Sequence, residues 1–367
     1  MGDKPGMGSR IYDRPERPYG AQGEVQMDLA EGFNINIESR PAHQAFIPSA
    51  LSKRLQDLAD WLAALERILA SGAGALKDRP QQLNELFVKL WEAAGMDASP
   101  GLARRKPDHR LFRKMVGAYF WQSPQMRRGF EKPRGYAGDF LMMDAICNRP
   151  PPAETLLGDW LDGWFQETFP GARSVRNRRD LVARLLASES TRGARRVLNV
   201  ASGGAPELAH IPLDLAFDQV VLLDQDSGAL AFAQQSLARR DALRTAPLPV
   251  QTLCMPIRTL VRTEGALGTK PYDVIYSMGL YDYLLRDTAT ALTSTLWDAL
   301  APGGILVVGN YQGHHWARYV VEAVMDWFLV YRDEDDLREL AADLPDAGSN
   351  IVTDATGLVH LLHLRKQ

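Results

Sequence analysis

From Val197 the sequence runs Val-Leu-Asn-Val-Ala-Ser-Gly-Gly-Ala-Pro206, an apolar stretch passing into small residues. A strand that ends this way and leads into a helix lets backbone amides approach a ligand closely. Next comes Leu222-Leu-Asp-Gln-Asp226. It places Asp224 roughly 20 positions beyond the glycine turn, where a carboxylate accepts hydrogen bonds from both ribose hydroxyls of an adenosine cofactor. Asp226 is better placed to cap a helix that starts near Ser227.

A second group of reactive residues lies upstream, in Lys132-Pro-Arg-Gly-Tyr-Ala-Gly-Asp139, with Met142-Met-Asp144 after it. A rigid Gly/Pro turn would present Arg134, Tyr136 and Asp139 to the mouth of the cofactor site. The alternative is a connection between helices in which Arg and Asp only tie the helices together. Gly279-Leu-Tyr-Asp-Tyr-Leu284 adds Tyr281 and Tyr283, which either flank the reacting atoms or pack between layers. His314 and His315 titrate near neutrality and one is a candidate base. Adjacent residues point in different directions, so a surface or capping role is the expectation for either.

The elements that must position these residues change character along the chain. Residues 1–45 mix Gly, Pro and charge without periodicity and read as a mobile arm. Leu51, Leu55, Leu58, Leu62, Leu65 and Leu69 repeat at helical spacing. Further helical pattern covers 80–95, 107–128, 140–148 and 153–190, so 46–174 reads as an α-helical cap or substrate domain. From Arg195 strands and helices alternate. The strand candidates are 196–201, 219–224, 249–254, 272–278 and 304–310, with helices at 227–240 and 288–301. A long amphipathic helix carrying Trp316, Val320, Val324, Trp327 and Tyr331 on one face follows, then an antiparallel pair, 349–354 and 358–365. Near-continuous apolar strands joined by helices predict a parallel sheet covered on both faces, with ligand at the carboxyl ends of its strands.

Over residues 175–367 the sequence resembles the class I S-adenosylmethionine (SAM)-dependent methyltransferases. Asn199–Ala205 matches their glycine motif and Asp224 their ribose-binding acid. Tyr272-Asp-Val-Ile-Tyr-Ser-Met278 and Leu300-Ala-Pro-Gly-Gly-Ile-Leu306 match the motifs of strands four and five. The resemblance implies an α/β Rossmann-like sheet of order 3-2-1-4-5-7-6 with the last strand antiparallel. It also implies SAM as cofactor, held by Asn199, Ala201, Ser202, Gly203, Asp224, Gln225, Met255, Pro256, Ile257, Ser277 and Met278. Three positions depart from the pattern. Asn199 replaces the usual acid, Ala205 the third glycine, and Cys254-Met-Pro-Ile257 offers no carboxylate to adenine, leaving apolar contact with Met255 and Ile257. The helical half, through Lys132–Asp139, resembles a bacterial subfamily associated with 3-hydroxy fatty acid methyl esters. A dinucleotide dehydrogenase would instead show G-x-G-x-x-G.

Composition sets the wider limits. The 367 residues carry 42 basic and 45 acidic side chains, a formal net charge of −3, so no concentrated positive field marks a nucleic-acid binder. The one basic stretch, Arg173-Ser-Val-Arg176-Asn-Arg178-Arg179, reads as the solvated face of a helix. Two cysteines without metal-ligand spacing fit a reducing cytoplasm and no metal site. The first residues lack the apolar core of a secretory signal, and apolar runs fall short of the ~20 residues that span a membrane. The expected partner is a small-molecule substrate, not nucleic acid or membrane, and a homodimer has no support in the sequence.

SAM is already activated, so the protein must mainly align a nucleophile. Methyl transfer to a small molecule is the leading expectation, with Arg134 orienting a carboxylate and Tyr136, Tyr281 and Tyr283 walling the sulfonium. Methyltransferase-like azetidine-2-carboxylate synthases offer a second reaction on the same scaffold. There the SAM amine attacks its own γ-carbon and expels methylthioadenosine. A non-catalytic SAM-binding regulator is the third reading.

Overall fold

The computed structural model describes residues 49–71, 80–93, 109–149, 151–244, 246–345 and 347–367. The N-terminal arm read from 1–45 lies outside them. Before Arg196 the described residues form helices and turns but no strand. The helices are α1 (Ser49–Ala70), α2 (Pro80–Ala93), α3 (His109–Phe112), α4 (Ala118–Phe120), α5 (Pro124–Glu131), α6 (Phe140–Asn148), α7 (Leu156–Glu167) and α8 (Pro170–Thr191). The leucine repeat of α1 is a core stripe, since Leu51, Leu55, Leu58, Leu62 and Leu65 are all buried.

Two of the expected helices are broken, each at a proline. The 107–128 pattern passes through a π-helical turn at Arg113–Gly117 and restarts at Pro124, where the Ser123 hydroxyl accepts the Met126 N–H. The 153–190 pattern divides at Phe169-Pro170, with Thr155 capping α7. Proline at the first helical position needs no N–H partner, so both breaks are helix starts.

Seven strands follow: β1 (Arg196–Val200), β2 (Gln219–Asp224), β3 (Val250–Cys254), β4 (Tyr272–Ser277), β5 (Leu300–Tyr311), β6 (Ala347–Thr353) and β7 (Val359–Lys366). Their order is β3-β2-β1-β4-β5-β7-β6, the order expected from the resemblance. β7 runs antiparallel to both β5 and β6. Between and after the strands lie α9 (Ser227–Asp241), α10 (Ile257–Arg262), α11 (Arg286–Asp298), α12 (Ala317–Met325) and α13 (Glu334–Glu339). Alternate residues of each central strand enter two cores. Val197, Val220, Val274 and Val307 pack with the N-terminal helices, while Leu198, Val221, Ile275 and Leu306 pack with α10, α11 and α13. Burial on both faces is why these strands read as continuous apolar runs.

The long helix expected after β5 stops at Met325. Asp326 takes left-handed backbone with φ 52°, and the Trp327 N–H closes the end on Val321 O at 3.0 Å. Arg113 lies 3.1 Å and Lys132 3.6 Å from the Asp326 carboxylate, so charges from the helical half hold this turn. The chain then continues without regular structure to Asp333, which brings Trp327 and Tyr331 to the ends of the strands rather than onto one helical face.

Asp139 fixes the corresponding turn on the other side. Its carboxylate caps α6 by accepting the Met142 N–H at 2.9 Å, and Arg128 bonds both oxygens at 2.9 and 2.8 Å. Asp139→Ala is expected to cost about 3 kcal/mol in denaturant unfolding, from the lost cap and the stranded guanidinium. Asp139→Asn, which keeps a capping oxygen, should recover about 1 kcal/mol of that loss. An unchanged midpoint in Asp139→Ala would remove both roles.

Candidate active site

A cavity of about 220 Å³ lies at the carboxyl ends of the parallel strands, roofed by α6, α7 and α8. At one end are Asn199 of β1 with Ala201 to Gly204 after it, Asp224 and Gln225 at the end of β2, and Ile257. At the other are Tyr311, Gln312, His315 and Arg318, beyond β5. β2 and β5 are three inter-strand steps apart, ~14 Å, so the slot suits an extended ligand lying across the strand ends.

The loop after β1 is bent hard. Ala201, Gly203 and Ala205 all take left-handed backbone, with φ of 54°, 52° and 45°. For alanine this conformation costs roughly 1–2 kcal/mol, so the surroundings must hold it. They do so through backbone bonds from Ser202 N to Leu223 O (3.0 Å) and Ala205 N to Ser202 O (2.9 Å). Asp224 supplies the third hold. Its Oδ2 accepts the Gly203 N–H at 2.8 Å, and its Oδ1 the Asp226 N–H at 2.9 Å. Burial pushes the Asp224 carboxyl up from its ordinary range. Two of its four lone-pair directions are thereby used, and two are left for a ligand. Ser202 Oγ, also at the cavity, is buried with no hydrogen-bond partner among the described residues.

Below this loop is a residue that sequence reasoning missed. Glu207 lines the cavity, and its Oε1 accepts from Asn199 Nδ2 at 2.8 Å and from the Tyr276 hydroxyl at 2.7 Å. Burial pushes its carboxyl up to about 7. A signal was present: an acid eight positions beyond Asn199, where the motif itself lacks one.

The helical half reaches the cavity through the Lys132–Asp139 turn, but with only one of the three side chains expected. Tyr136 lines the cavity and donates to Asp226 Oδ2 at 3.1 Å. Arg134 is outside the lining, its guanidinium paired with both Asp226 oxygens at 2.7 and 2.6 Å. Asp226 also caps α9 through the Gly228 and Ala229 N–H groups, the capping role expected of it. Asp139 is outside the lining as well, committed to Arg128 and α6. Gly138, at φ +68°, sits so close to Trp327 that a Cβ would stand 2.5 Å from its ring.

Tyr283 lines the cavity, donating to Ala137 O at 3.1 Å and accepting from Trp327 Nε1 at 2.8 Å. Tyr281 does not. It is fully buried against Thr293, 3.0 Å from its hydroxyl, which turns it from the expected wall into core. Ser277 is likewise buried, bonded to Val200 O at 2.8 Å, and Met255 and Pro256 fall outside the lining. Met278, Gln225 and Ile257 are part of it. His314 is exposed, whereas His315 reaches the cavity.

The basic stretch at 173–179 is not a solvated face. Arg173 alone of its arginines is exposed. Arg178 and Arg179 line the cavity, and Arg176 bonds Gln166 and Ile146 O. α8 packs over the cavity with this side inward. Arg178 lies 3.6 Å from the buried Asp282 carboxylate and 5.0 Å above the Tyr311 ring. Burial pushes the Asp282 carboxyl up to about 6, with Arg178 and the Tyr311 N–H opposing.

No protein-family model matches the chain, and no curated protein matches it. A solved structure described as a "possible exported protein" from Bordetella parapertussis is similar, with 17% identity and a TM-score of 0.51. That match covers 88% of this chain and 99% of the other. Magnesium protoporphyrin IX methyltransferase from Synechocystis PCC 6803, with bound SAM, matches at 13% identity and TM-score 0.39, over 53% of this chain and 83% of that one. The N-methyltransferase NodS from Bradyrhizobium japonicum, with S-adenosyl-L-homocysteine, matches at 16% and 0.38, over 55% and 91%. The likeness to the first is one of fold, and the other two are too distant to argue from. The sheet order and the slot at the strand ends define a Rossmann-like α/β protein of class I methyltransferase topology. Among the described residues no helix is long and apolar enough to cross a membrane.

Asp226 ties the Lys132–Asp139 turn to α9. Burial acts to raise its carboxyl, but the Arg134 and Tyr136 hydrogen bonds outweigh this and hold it below the usual range. Asp226→Ala should therefore lower stability by about 1–2 kcal/mol near pH 7. A lowered folded-state pKa stabilises above the unfolded value and is lost below it, so the difference from wild type should shrink below about pH 4. Denaturant unfolding at pH 7 and 3 checks this. A deficit that does not change with pH would leave only the loss of packing.

Proposed function

We propose that the protein binds SAM in this cavity and transfers its methyl group to a small molecule entering at the β5 end. The observation that carries the reading is one slot running from Asp224 to Arg318 across the ends of β2, β1, β4 and β5. The residues present fit the ligand. Asp224 has acceptor capacity left for ribose hydroxyls, Ser202 Oγ is an unused buried hydroxyl, and the strained loop exposes backbone beside them. Ile257 takes the apolar contact with adenine, without Met255. SAM supplies a carbon made electrophilic by its sulfonium, so the chain's work is alignment and charge management.

The acceptor end favours an anion. The Arg318 guanidinium lies 4.5 Å from the Tyr331 ring centre and donates from Nε to Glu322 at 2.6 Å, and its terminal nitrogens make no hydrogen bond among the described residues. His315 Nδ1 accepts the Ala317 N–H at 3.1 Å, and burial lowers its pKa. The neutral ring then carries its proton on Nε2, which makes it a donor rather than a base. Two donors suit a carboxylate nucleophile, which needs no base. Arg318 thus takes the role first assigned to Arg134. The walls, Tyr283, Tyr311, Trp327 and Leu329, suit an apolar body.

One observation favours the second reading, cyclisation of SAM to azetidine-2-carboxylate. That reaction needs an acceptor for the amine proton, and the Glu207 carboxylate is one. Incubation with SAM alone, followed by mass spectrometry, separates the two. Methyl transfer yields S-adenosylhomocysteine only with an acceptor, whereas acceptor-independent methylthioadenosine above the spontaneous background overturns it. Asp224→Asn should weaken SAM binding roughly 10–100-fold in calorimetry, through loss of charge-assisted bonds. Arg318→Gln should lower kcat/KM for a carboxylate acceptor roughly tenfold or more while leaving SAM affinity unchanged.

A further inference from the structure

Glu207 is 5% exposed and forms no ion pair among the described residues. Its hydrogen-bond donors, Asn199 and Tyr276, are both neutral. Arg179 on α8 acts on it only through its field and is itself bonded to Asp180 and Cys147 O. A carboxylate buried without a cation is costly, and the cost disappears when a ligand brings the cation. Glu207 stands where β1 and β4 adjoin, between the Asp224 end and the β5 end of the slot. A ligand with its nucleoside at β2 carries its amino-acid tail past this point.

We infer that Glu207 is the counter-ion of a ligand ammonium group, taking over at one remove the charge that Asn199 lacks. Asn199 and Tyr276 orient the carboxylate, which a cation can approach through the cavity that Glu207 lines; Arg179 lines the same cavity, but its hydrogen bonds go to Asp180 and Cys147 O. This rests on the reading that the cavity holds SAM, whose α-ammonium is then the group bound. The arrangement keeps the apo site neutral when Glu207 is protonated and makes binding expel that proton. The other titratable groups facing Glu207 keep one charge state near neutrality. Burial and Glu207 itself hold the Tyr276 phenol well above its usual range, and burial pushes the Cys147 thiol of α6 up to about 11. Arg179 stays cationic. The Asp224 and Asp282 carboxyls, also raised by burial, are the other acids of the cavity, so a variant at Glu207 is needed to separate its titration from theirs.

The test is calorimetric binding of S-adenosylhomocysteine, its deamino analogue and methylthioadenosine, at pH 6 to 8. Wild type should bind S-adenosylhomocysteine, with affinity falling up to roughly tenfold per pH unit below 7, as expected when binding must displace one proton. Glu207→Gln retains a side-chain oxygen for Asn199 and Tyr276. It should lose roughly tenfold or more in affinity for S-adenosylhomocysteine at pH 8, and lose the pH dependence. Its affinity for the deamino analogue and methylthioadenosine should not change. The double variant Glu207→Gln/Asn199→Asp moves the carboxylate one hydrogen bond away and should restore binding. Equal loss for all three ligands, or unchanged affinity for S-adenosylhomocysteine, overturns the inference and leaves the SAM reading standing. Failure of wild type to bind any of the three overturns both.

Discussion

The hydrogen bond from the Gly203 N–H to the Asp224 carboxylate is the constraint on which the site depends. It joins the loop after β1 to the end of β2, and the same carboxylate receives the Asp226 N–H that starts α9. Three left-handed residues in five are tolerable only because this anchor and the bonds to Leu223 and Ser202 over-determine the loop. Strain held in this way leaves backbone near the cavity that cannot relax onto itself. The anchor also keeps acceptor capacity toward the cavity, because a carboxylate has more than two amides use.

From that anchor the structure extends to the helical half by charge rather than by apolar contact alone. Asp226, one bond away, receives Arg134 and Tyr136. Asp326, beyond β5, receives Arg113 and Lys132. Both clamps draw on the Lys132–Asp139 turn, Arg134 reaching the start of α9 and Lys132 the turn that ends α12. Ion pairs that are partly exposed contribute little stability, but they fix the angle at which the helical half meets the strand ends. Tyr283, Trp327 and Ala137 carry that alignment into the cavity wall.

The interior of the slot is graded in charge. Glu207 and Asp224 lie toward β1 and β2, while Arg178 and Arg318 lie toward β5, with Asp282 beneath Arg178. Such a gradient orients a ligand that is cationic in its middle and meets an anion at its far end.

By itself the sequence determined the sheet. Strands buried on both faces must be apolar runs, so all seven strands fall within a few residues of their expected places, while their order was implied by the resemblance rather than by spacing. The glycine turn, Asp224 and the capping role of Asp226 were legible for the same local reason: each depends on neighbours within a few positions. What lies across the chain was not. Asp139, Tyr281 and Arg134 have the side chains of catalytic residues, yet Arg128, Thr293 and Asp226, brought in by the tertiary fold, commit them elsewhere. The arginines of α8 read as a solvated face because sequence shows a helix's charge but not which side meets the core. The helix after β5 kept its apolar period past Asp326, but contacts with Arg113 and Lys132 stabilise the left-handed turn that ends it. Glu207 became a site residue only when β1, β4 and the cavity met around it, because burial and partners, not residue type, decide what a carboxylate does.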